Sequence, residues 1–94
     1  MVVTGFLVVD AGRRDEYVAG CAEVVRLARA ADGCLEFAVA ADPLDPGRVL
    51  VLERWVSRAA AEAFRGSGPD EEQRAEVRAA SVVEHEVAAA RSLT

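Results

Sequence analysis

The stretch VLVLERWVSRAAAEAF, residues 49–64, changes from a strand pattern to a helix pattern within a few residues. Residues 49–56 are mostly branched and apolar, which predicts a strand. Because successive side chains of a strand point to opposite faces, Val51, Glu53 and Trp55 share one side of it. Trp55 is the only tryptophan of the chain, and this strand places it at the boundary between two elements.

A helix is predicted directly after this strand. Ser57 can accept a hydrogen bond from the free amides of a first helical turn, so the helix covers residues 58–64. The glycines and proline of residues 66–69 interrupt it. A capping-box pattern then predicts a further short helix over residues 70–80.

The N-terminal half of the chain predicts a strand, a helix and a second strand. Residues 2–9 are almost wholly apolar, as in a buried strand. Residues 13–31 repeat apolar side chains at helical spacing, and Gly33 is placed to end this helix in the left-handed conformation. Residues 34–41 predict a second strand, which the turn-forming residues 42–47 join to the next strand as a hairpin.

The order of the predicted elements defines a fold class. Residues 81–89 alternate well enough to form a fourth strand, with a loose tail from about residue 90. Strand, helix, strand, strand, helix, strand is a split βαβ arrangement with right-handed crossovers. We therefore expect a ferredoxin-like α+β fold, in which a four-stranded antiparallel sheet carries its helices on one face. The 94 residues fit a single domain over residues 1–94.

The uncovered face of this sheet is expected to be apolar as well. The third strand carries Val49 and Val51 on one side and Leu50 and Leu52 on the other. A monomer would expose a sheet-sized apolar patch. Packing two identical faces about a two-fold axis removes that patch, so we predict a homodimer that forms through the open sheet face.

Composition argues against several kinds of partner. The net charge is −5, the chain has no lysine, and its arginines are interleaved with carboxylates. We therefore do not expect the protein to bind nucleic acid or anionic membrane surfaces. No apolar run approaches the roughly 20 residues that span a bilayer, and the N-terminus lacks a cationic leader, so we expect a cytoplasmic protein. Arginine in place of lysine and frequent alanine are typical of a GC-rich bacterial genome.

Metal and nucleotide chemistry have little support in the sequence. Cys21 and Cys34 form no CxxC pair and are interpreted as small buried residues. One histidine and no thiolate cluster argue against a structural metal site. The glycine-rich motifs that bind nucleotides and the GxSxG motif of hydrolases are absent, so no cofactor is expected.

The chain resembles the antibiotic biosynthesis monooxygenase (ABM) domains over nearly its whole length. The matching motifs are GRRDEYV (residues 12–18), DGCLEFAVAAD (residues 32–42), DPGRVLVLERWVS (residues 45–57) and AAAEAF (residues 59–64). The acidic residue two positions before the tryptophan is the strongest signal. The resemblance implies ferredoxin-like domains that dimerise sheet to sheet into an α+β barrel. The family includes oxygenases, haem-degrading enzymes, an isomerase-like branch and members without known activity.

Two departures from relatives narrow what the resemblance implies. In the quinone-forming members that the chain resembles, the tryptophan equivalent to Trp55 lines a pocket between sheet and helices. Those members carry an asparagine four residues before it, where this chain has Val51. Haem-degrading members need an axial histidine that residues 59–80 lack, which argues against haem degradation.

Trp55 and His85 are the candidate catalytic residues. The indole ring would stack on a planar substrate while its N–H donates to an oxygen; the alternative is that Trp55 only fills space. Histidine ordinarily exchanges a proton near neutral pH, so His85 is the candidate base; the alternative is a core residue. The candidate substrate-binding residues, each with core packing as its alternative role, are Phe6, Phe37, Val51 and Phe64.

Glu53 is expected to lie half-buried on the Trp55 side of its strand. A carboxylate in that position needs a cation or hydrogen-bond donors. Arg54, Arg78 or an arginine of a second subunit are the candidates.

The resemblance, with Trp55 and His85 in the roles given above, implies a monooxygenase that needs no cofactor and oxidises a polycyclic phenol or anthrone-like aromatic to a quinone with dioxygen. A deprotonated substrate of this kind reduces dioxygen itself. Two alternatives remain open. One is an isomerase-like enzyme that transfers a proton on a small ketone, using His85 with little need for Trp55. The other is a dimeric ligand-binding domain without chemistry.

Overall fold

The structure is a computed structural model that describes residues 1–66 and 76–94. Its elements are β1 (Val2–Val8), α1 (Arg14–Gly20), α2 (Ala22–Ala30), β2 (Cys34–Ala41), β3 (Arg48–Trp55), α3 (Arg58–Arg65) and β4 (Ala79–His85). The strands form one antiparallel sheet in the spatial order β2-β3-β1-β4. With its helices on one side, this is the predicted ferredoxin-like α+β fold. No helix of the described residues is long and apolar enough to cross a membrane.

The strand register divides the sheet into two faces. The side that the helices cover, which we call the helix face, carries Val49, Val51, Glu53 and Trp55 of β3, and the open face carries Arg48, Leu50, Leu52 and Arg54. Val49 and Trp55 are almost wholly buried, whereas Leu50 is 36% exposed. Both faces of β3 are therefore apolar at their centre, as the sequence predicts.

Two groups of buried side chains fill the space between sheet and helices. The group under α1 consists of Val9, Tyr17, Cys21 and Val49. The group under α2 and α3 consists of Ala28, Phe37, Trp55 and Ala61. Because Ala28 and Ala61 are fully buried, their helices approach the sheet closely, and large rings fill the remaining space.

The helix predicted over residues 13–31 is in fact two helices that meet at Cys21. Gly20, a weak helix former, precedes the break. The Cys21 amide donates to the Val18 carbonyl at 3.0 Å, three residues back, which is a tighter turn than the α-helical bond allows. Gly33 follows α2 with φ 82°, the predicted left-handed conformation.

The last strand begins and ends earlier than predicted. It covers Ala79–His85 and not residues 81–89, because β1 dictates its length. Val8 pairs with Ala79 and Val2 pairs with His85, so the pairing stops where β1 begins. The helix predicted over residues 70–80 lies mainly outside the described residues, and its last two positions belong to β4.

The loop between β2 and β3 is held by side-chain hydrogen bonds. The Asp42 carboxylate accepts from the amides of Asp45 and Leu44 at 3.0 and 2.8 Å, and these bonds lower the pKa of Asp42. Arg14 Nη1, at the start of α1, donates to three carbonyl oxygens, those of Asp42, Asp45 and Arg48, at 3.2, 2.9 and 3.3 Å. One arginine thus fastens the hairpin loop to the first helix.

Candidate functional site

Three aromatic rings meet on the helix face where β2, β3 and α3 come together. The ring centroids lie 5.6 Å apart for Trp55 and Phe64, 5.9 Å for Phe37 and Phe64, and 6.4 Å for Phe37 and Trp55. Phe37 meets the other two rings edge to face, at 82° and 69°, which the quadrupoles of aromatic rings favour. Three of the predicted site residues therefore form one apolar unit, which we call the aromatic wall.

Glu53 places a buried carboxylate beside the aromatic wall. Its residue is 8% exposed, and that of Trp55 only 1%. The indole Nε1 of Trp55 donates to Glu53 Oε1 at 2.8 Å. Arg65 Nη2 lies 3.6 Å from the same oxygen. The sequence suggested that the indole N–H donates to a substrate oxygen. In the structure it donates to a carboxylate of the protein instead.

Glu53 belongs to a row of side chains that crosses the helix face. Phe37 of β2 and Val3 of β1 flank it, and Glu84 of β4 follows on the far side of Val3. Arg65, the last residue of α3, bridges the two acidic side chains, with nitrogens 3.6 Å from Glu53 and 3.9 Å from Glu84. One guanidinium therefore forms ion pairs with carboxylates that lie two strands apart.

Arg58 adds a second cation at the outer end of this row. Its Nη2 lies 2.9 Å from Glu84 and 3.3 Å from Glu86. Side-chain exposure rises from 11% for Glu53 through 30% for Glu84 to 85% for Glu86. Solvent screens the outer pairs more strongly, so Glu53 is the carboxylate whose charge is felt most by its neighbours.

The next row of the helix face, beside that of Glu53, is apolar, and a glycine occupies one of its positions. Val51 pairs with Gly5 of β1, and Gly5 pairs with Val82 of β4. A Cβ at Gly5 would lie 2.0 Å from the carbonyl oxygen of Ser81, so β1 and β4 approach too closely for any other residue. Val51 and Val82 consequently face each other across a position that no side chain fills.

Phe6 lies apart from the aromatic wall. It pairs with Leu50 and Ser81 and so faces the open side of the sheet. The guanidinium carbon of Arg48 sits 3.7 Å from its ring centroid, a cation–π contact. Phe6 was predicted to bind substrate together with Phe37 and Phe64, but the register of β1 turns Val3 and Gly5 to the helix face and Phe6 to the open face.

His85 also lies on the open face. It is opposite Val2, and its Nε2 is 3.0 Å from Thr4 Oγ1. Trp55 is on the helix face, so the sheet separates the two predicted catalytic residues. The register is the physical reason, because it turns Glu84 of β4, and not His85, toward the helices.

The cysteines and acidic residues add no further reactive centre to the described part of the chain. Cys21 and Cys34 do not form a disulfide, and burial raises the pKa of both thiols, which keeps them protonated at neutral pH. Within residues 1–66 and 76–94, no group of three or more histidine, cysteine, aspartate or glutamate side chains is placed to hold a metal ion.

Arg65 was not predicted as the counter-ion of Glu53. The predicted arginines, Arg54 and Arg78, pair with carboxylates elsewhere on the protein. A usable signal was present in the helix. Arg65 follows Ala61 by one turn, so the two share a helix face, and Ala61 is buried against the sheet.

Solved structures with this fold match nearly the whole chain. A candidate antibiotic biosynthesis monooxygenase from Deinococcus radiodurans matches with a TM-score of 0.77 and 20% identity, over 100% of this chain and 99% of that chain. A second, from Bacteroides thetaiotaomicron, has a TM-score of 0.78 and 21% identity, over 95% and 90%. A third, from Chloroflexus aurantiacus, has a TM-score of 0.71 and 22% identity, over 99% and 97%. At these identities the similarity shows the fold.

Sequence comparison gives one further match. The family model for antibiotic biosynthesis monooxygenases matches residues 1–80, well over half of the chain. No curated protein matches the chain significantly.

Proposed function

We propose that the chain, which belongs to the antibiotic biosynthesis monooxygenase family, oxidises a polycyclic phenol or anthrone-like aromatic to a quinone with dioxygen and without a cofactor. Family membership supports the broad statement, a monooxygenase-type function. The narrower proposal rests on one observation: the aromatic wall of Trp55, Phe37 and Phe64 stands beside the buried carboxylate of Glu53.

An aromatic wall beside paired charges suits a planar substrate that carries one acidic hydrogen. Trp55 and Phe37 are almost wholly buried, so the partly buried side chains of Phe64 and Val51 offer the apolar contact to a polycycle along the helix face. In the proposal Phe64 and Val51 contact the substrate ring, and Trp55 and Phe37 orient it by packing against Phe64. Glu53 and Arg65 supply opposite charges only 3.6 Å apart, as a reaction that forms an anion requires.

The reaction needs no cofactor because the deprotonated substrate is itself the reductant. Loss of a proton from the CH₂ group of an anthrone leaves an electron-rich anion, which reduces dioxygen. One oxygen atom stays on that carbon as the new carbonyl, and the other leaves as water with the two hydrogens of the CH₂ group. The protein contributes binding, stabilisation of the anion and exclusion of water.

A second candidate function uses His85 at a separate place. Its imidazole lies 3.0 Å from the Thr4 hydroxyl on the open face, so proton transfer by His85 requires a substrate on that face. An isomerase-like enzyme that moves a proton on a small ketone would fit this pair and would need neither dioxygen nor Trp55.

We also propose that two copies associate through their open faces. The apolar centre of that face is formed by Phe6, Leu50, Leu52 and Val83. Leu50 and Val83 are 36% and 51% exposed in the single chain, and two-fold packing would cover them while leaving the helix face, on the opposite side of the sheet, free of the second copy. Sedimentation should give a dimer for the natural protein and a monomer for Leu52→Glu. A monomeric natural protein at micromolar concentration would refute this proposal.

Oxygen consumption tests the monooxygenase reaction directly. We expect uptake with anthrones and dihydroxynaphthalenes, and at least about a tenfold lower kcat/KM in Trp55→Phe, since that change disturbs the wall and the Glu53 bond. Glu62→Gln, an exposed change on α3, is the control and should behave as the natural protein. No uptake across such a panel would overturn the proposal. Solvent deuterium entering a ketone without oxygen uptake, and lost in His85→Ala, would support the second function.

A further inference from the structure

We infer that Glu53, and not His85, removes the proton from the substrate. This inference rests on the proposed function and assigns a catalytic base to it. Glu53 is the least exposed carboxylate of its ion-pair network, and its bond to Trp55 at 2.8 Å fixes it against the aromatic wall. His85 lies on the other side of the sheet.

The bond to Trp55 does not by itself require a charge at position 53. The indole N–H needs only an acceptor, and the amide oxygen of a glutamine would supply one. A carboxylate taken out of water carries a desolvation cost that a neutral amide largely avoids. Arg65 offsets part of that cost from 3.6 Å, with a side chain that is 44% exposed. The negative charge of Glu53 thus exceeds what holding the indole demands.

The position of Arg65 lets the negative charge move from the protein to the substrate while staying beside a cation. In the proton transfer, the C–H bond of the substrate breaks, the proton joins the Glu53 carboxylate, and the electron pair passes into the ring system and onto the substrate oxygen. Arg65 then faces a substrate anion in place of the Glu53 anion. Since the total charge near the guanidinium is unchanged, the anion forms where a counter-ion is already present.

The two oxygens of Glu53 divide these tasks. Among the described residues, Trp55 and Arg65 both approach Oε1. Oε1 then keeps the carboxylate oriented by its bond to the indole, and Oε2 is the oxygen that the inference assigns to receive the proton. A base held by one oxygen and reacting through the other is positioned without losing its function.

Proton removal can be measured without oxygen chemistry. Under nitrogen in D₂O, the natural protein should accelerate hydrogen exchange at the CH₂ group of an anthrone, followed by proton NMR. Glu53→Gln keeps an acceptor oxygen for Trp55 but has no basic carboxylate, and it should lower this exchange rate by about 100-fold or more. Glu53→Asp keeps the carboxylate on a shorter stem and should retain intermediate exchange. Glu62→Gln is the control at natural rate.

The outcomes separate this inference from the proposed function. If Glu53→Gln is folded by circular dichroism and exchanges at the natural rate, the inference is wrong even where oxygen uptake is normal. If exchange depends on Glu53 but the natural protein takes up no oxygen in air, Glu53 remains the base and the monooxygenase proposal is wrong. A natural protein that neither exchanges nor consumes oxygen would remove both. If Glu53→Gln does not fold, equal exchange in Glu53→Asp and the natural protein would count against a base at this position.

Discussion

Removing the indole donor of Trp55 should destabilise the protein by an amount that the geometry allows us to estimate. Trp55→Phe keeps an aromatic ring but leaves the 8% exposed Glu53 without its hydrogen bond at 2.8 Å. A hydrogen bond to a charged acceptor contributes roughly 1.5–3 kcal/mol. Since each kcal/mol shifts Tm by about 4–8 °C in a domain of this size, we expect Tm to fall by about 6–24 °C.

A double-mutant cycle separates this bond from general packing. Glu53→Leu removes the acceptor and leaves the indole N–H unpaired, while Arg65 remains 44% exposed and hydrated. When both partners are changed, neither polar group is stranded, so the double variant should be more stable than the sum of the single losses by roughly 1–3 kcal/mol. Urea unfolding followed by circular dichroism, at one fixed protein concentration, gives the free energies of unfolding of the natural protein and the three variants. Additivity within about 0.5 kcal/mol would refute the reasoning.

Three further predictions concern the framework of the site. Gly33→Ala should lower stability in thermal unfolding by about 1–2 kcal/mol or more. Gly33 has φ 82°, and a Cβ there would lie 2.7 Å from Ala60 and 2.8 Å from Val56. The control Gly66→Ala, at φ −56°, should show no such loss. Arg14→Ala removes three bonds to loop carbonyls and should cost about 1–3 kcal/mol in urea unfolding, whereas the exposed Arg13→Ala should cost at most about 1 kcal/mol. Backbone hydrogen bonds lower the folded-state pKa of Asp42 below its usual 3.8, so its ionised form stabilises the protein above that pH. The advantage in free energy of unfolding of the natural protein over Asp42→Asn should therefore shrink as the pH falls below about 4. An advantage that persists unchanged at pH 2 would contradict this assignment.

Local patterns predicted the strands and their faces well. The alternation of β3 is a property of consecutive residues, so the sequence alone placed Glu53 and Trp55 together on one face. The boundaries of β4 depend on pairing with β1, which no local pattern encodes, and they were wrong by two to four residues. The break at Cys21 was missed because apolar spacing continues across it, while the change lies in one backbone bond.

The candidate site was predicted only where its residues share an element or a close neighbour. Alternation correctly separated His85 from Glu84, but only the register with β1 decides which of them faces the helices. Phe6 was misplaced for the same reason. Arg65 reaches Glu53 from α3, and such a contact depends on how the helix lies on the sheet, which strand periodicity does not report.

The ion pairs that α3 makes with the sheet and with Glu86 also bear on which ligands the helix face would accept in the proposed function. In their ordinary ionised forms, three carboxylates (Glu53, Glu84 and Glu86) meet two guanidiniums (Arg58 and Arg65). Counted over residues 1–66 and 76–94, this network therefore carries one uncompensated negative charge. An acidic aromatic bearing its own carboxylate would be repelled on approach, whereas an uncharged polycycle would not. The charge of a ligand would then decide binding before its shape does. Decarboxylated or esterified compounds would be favoured over the corresponding acids.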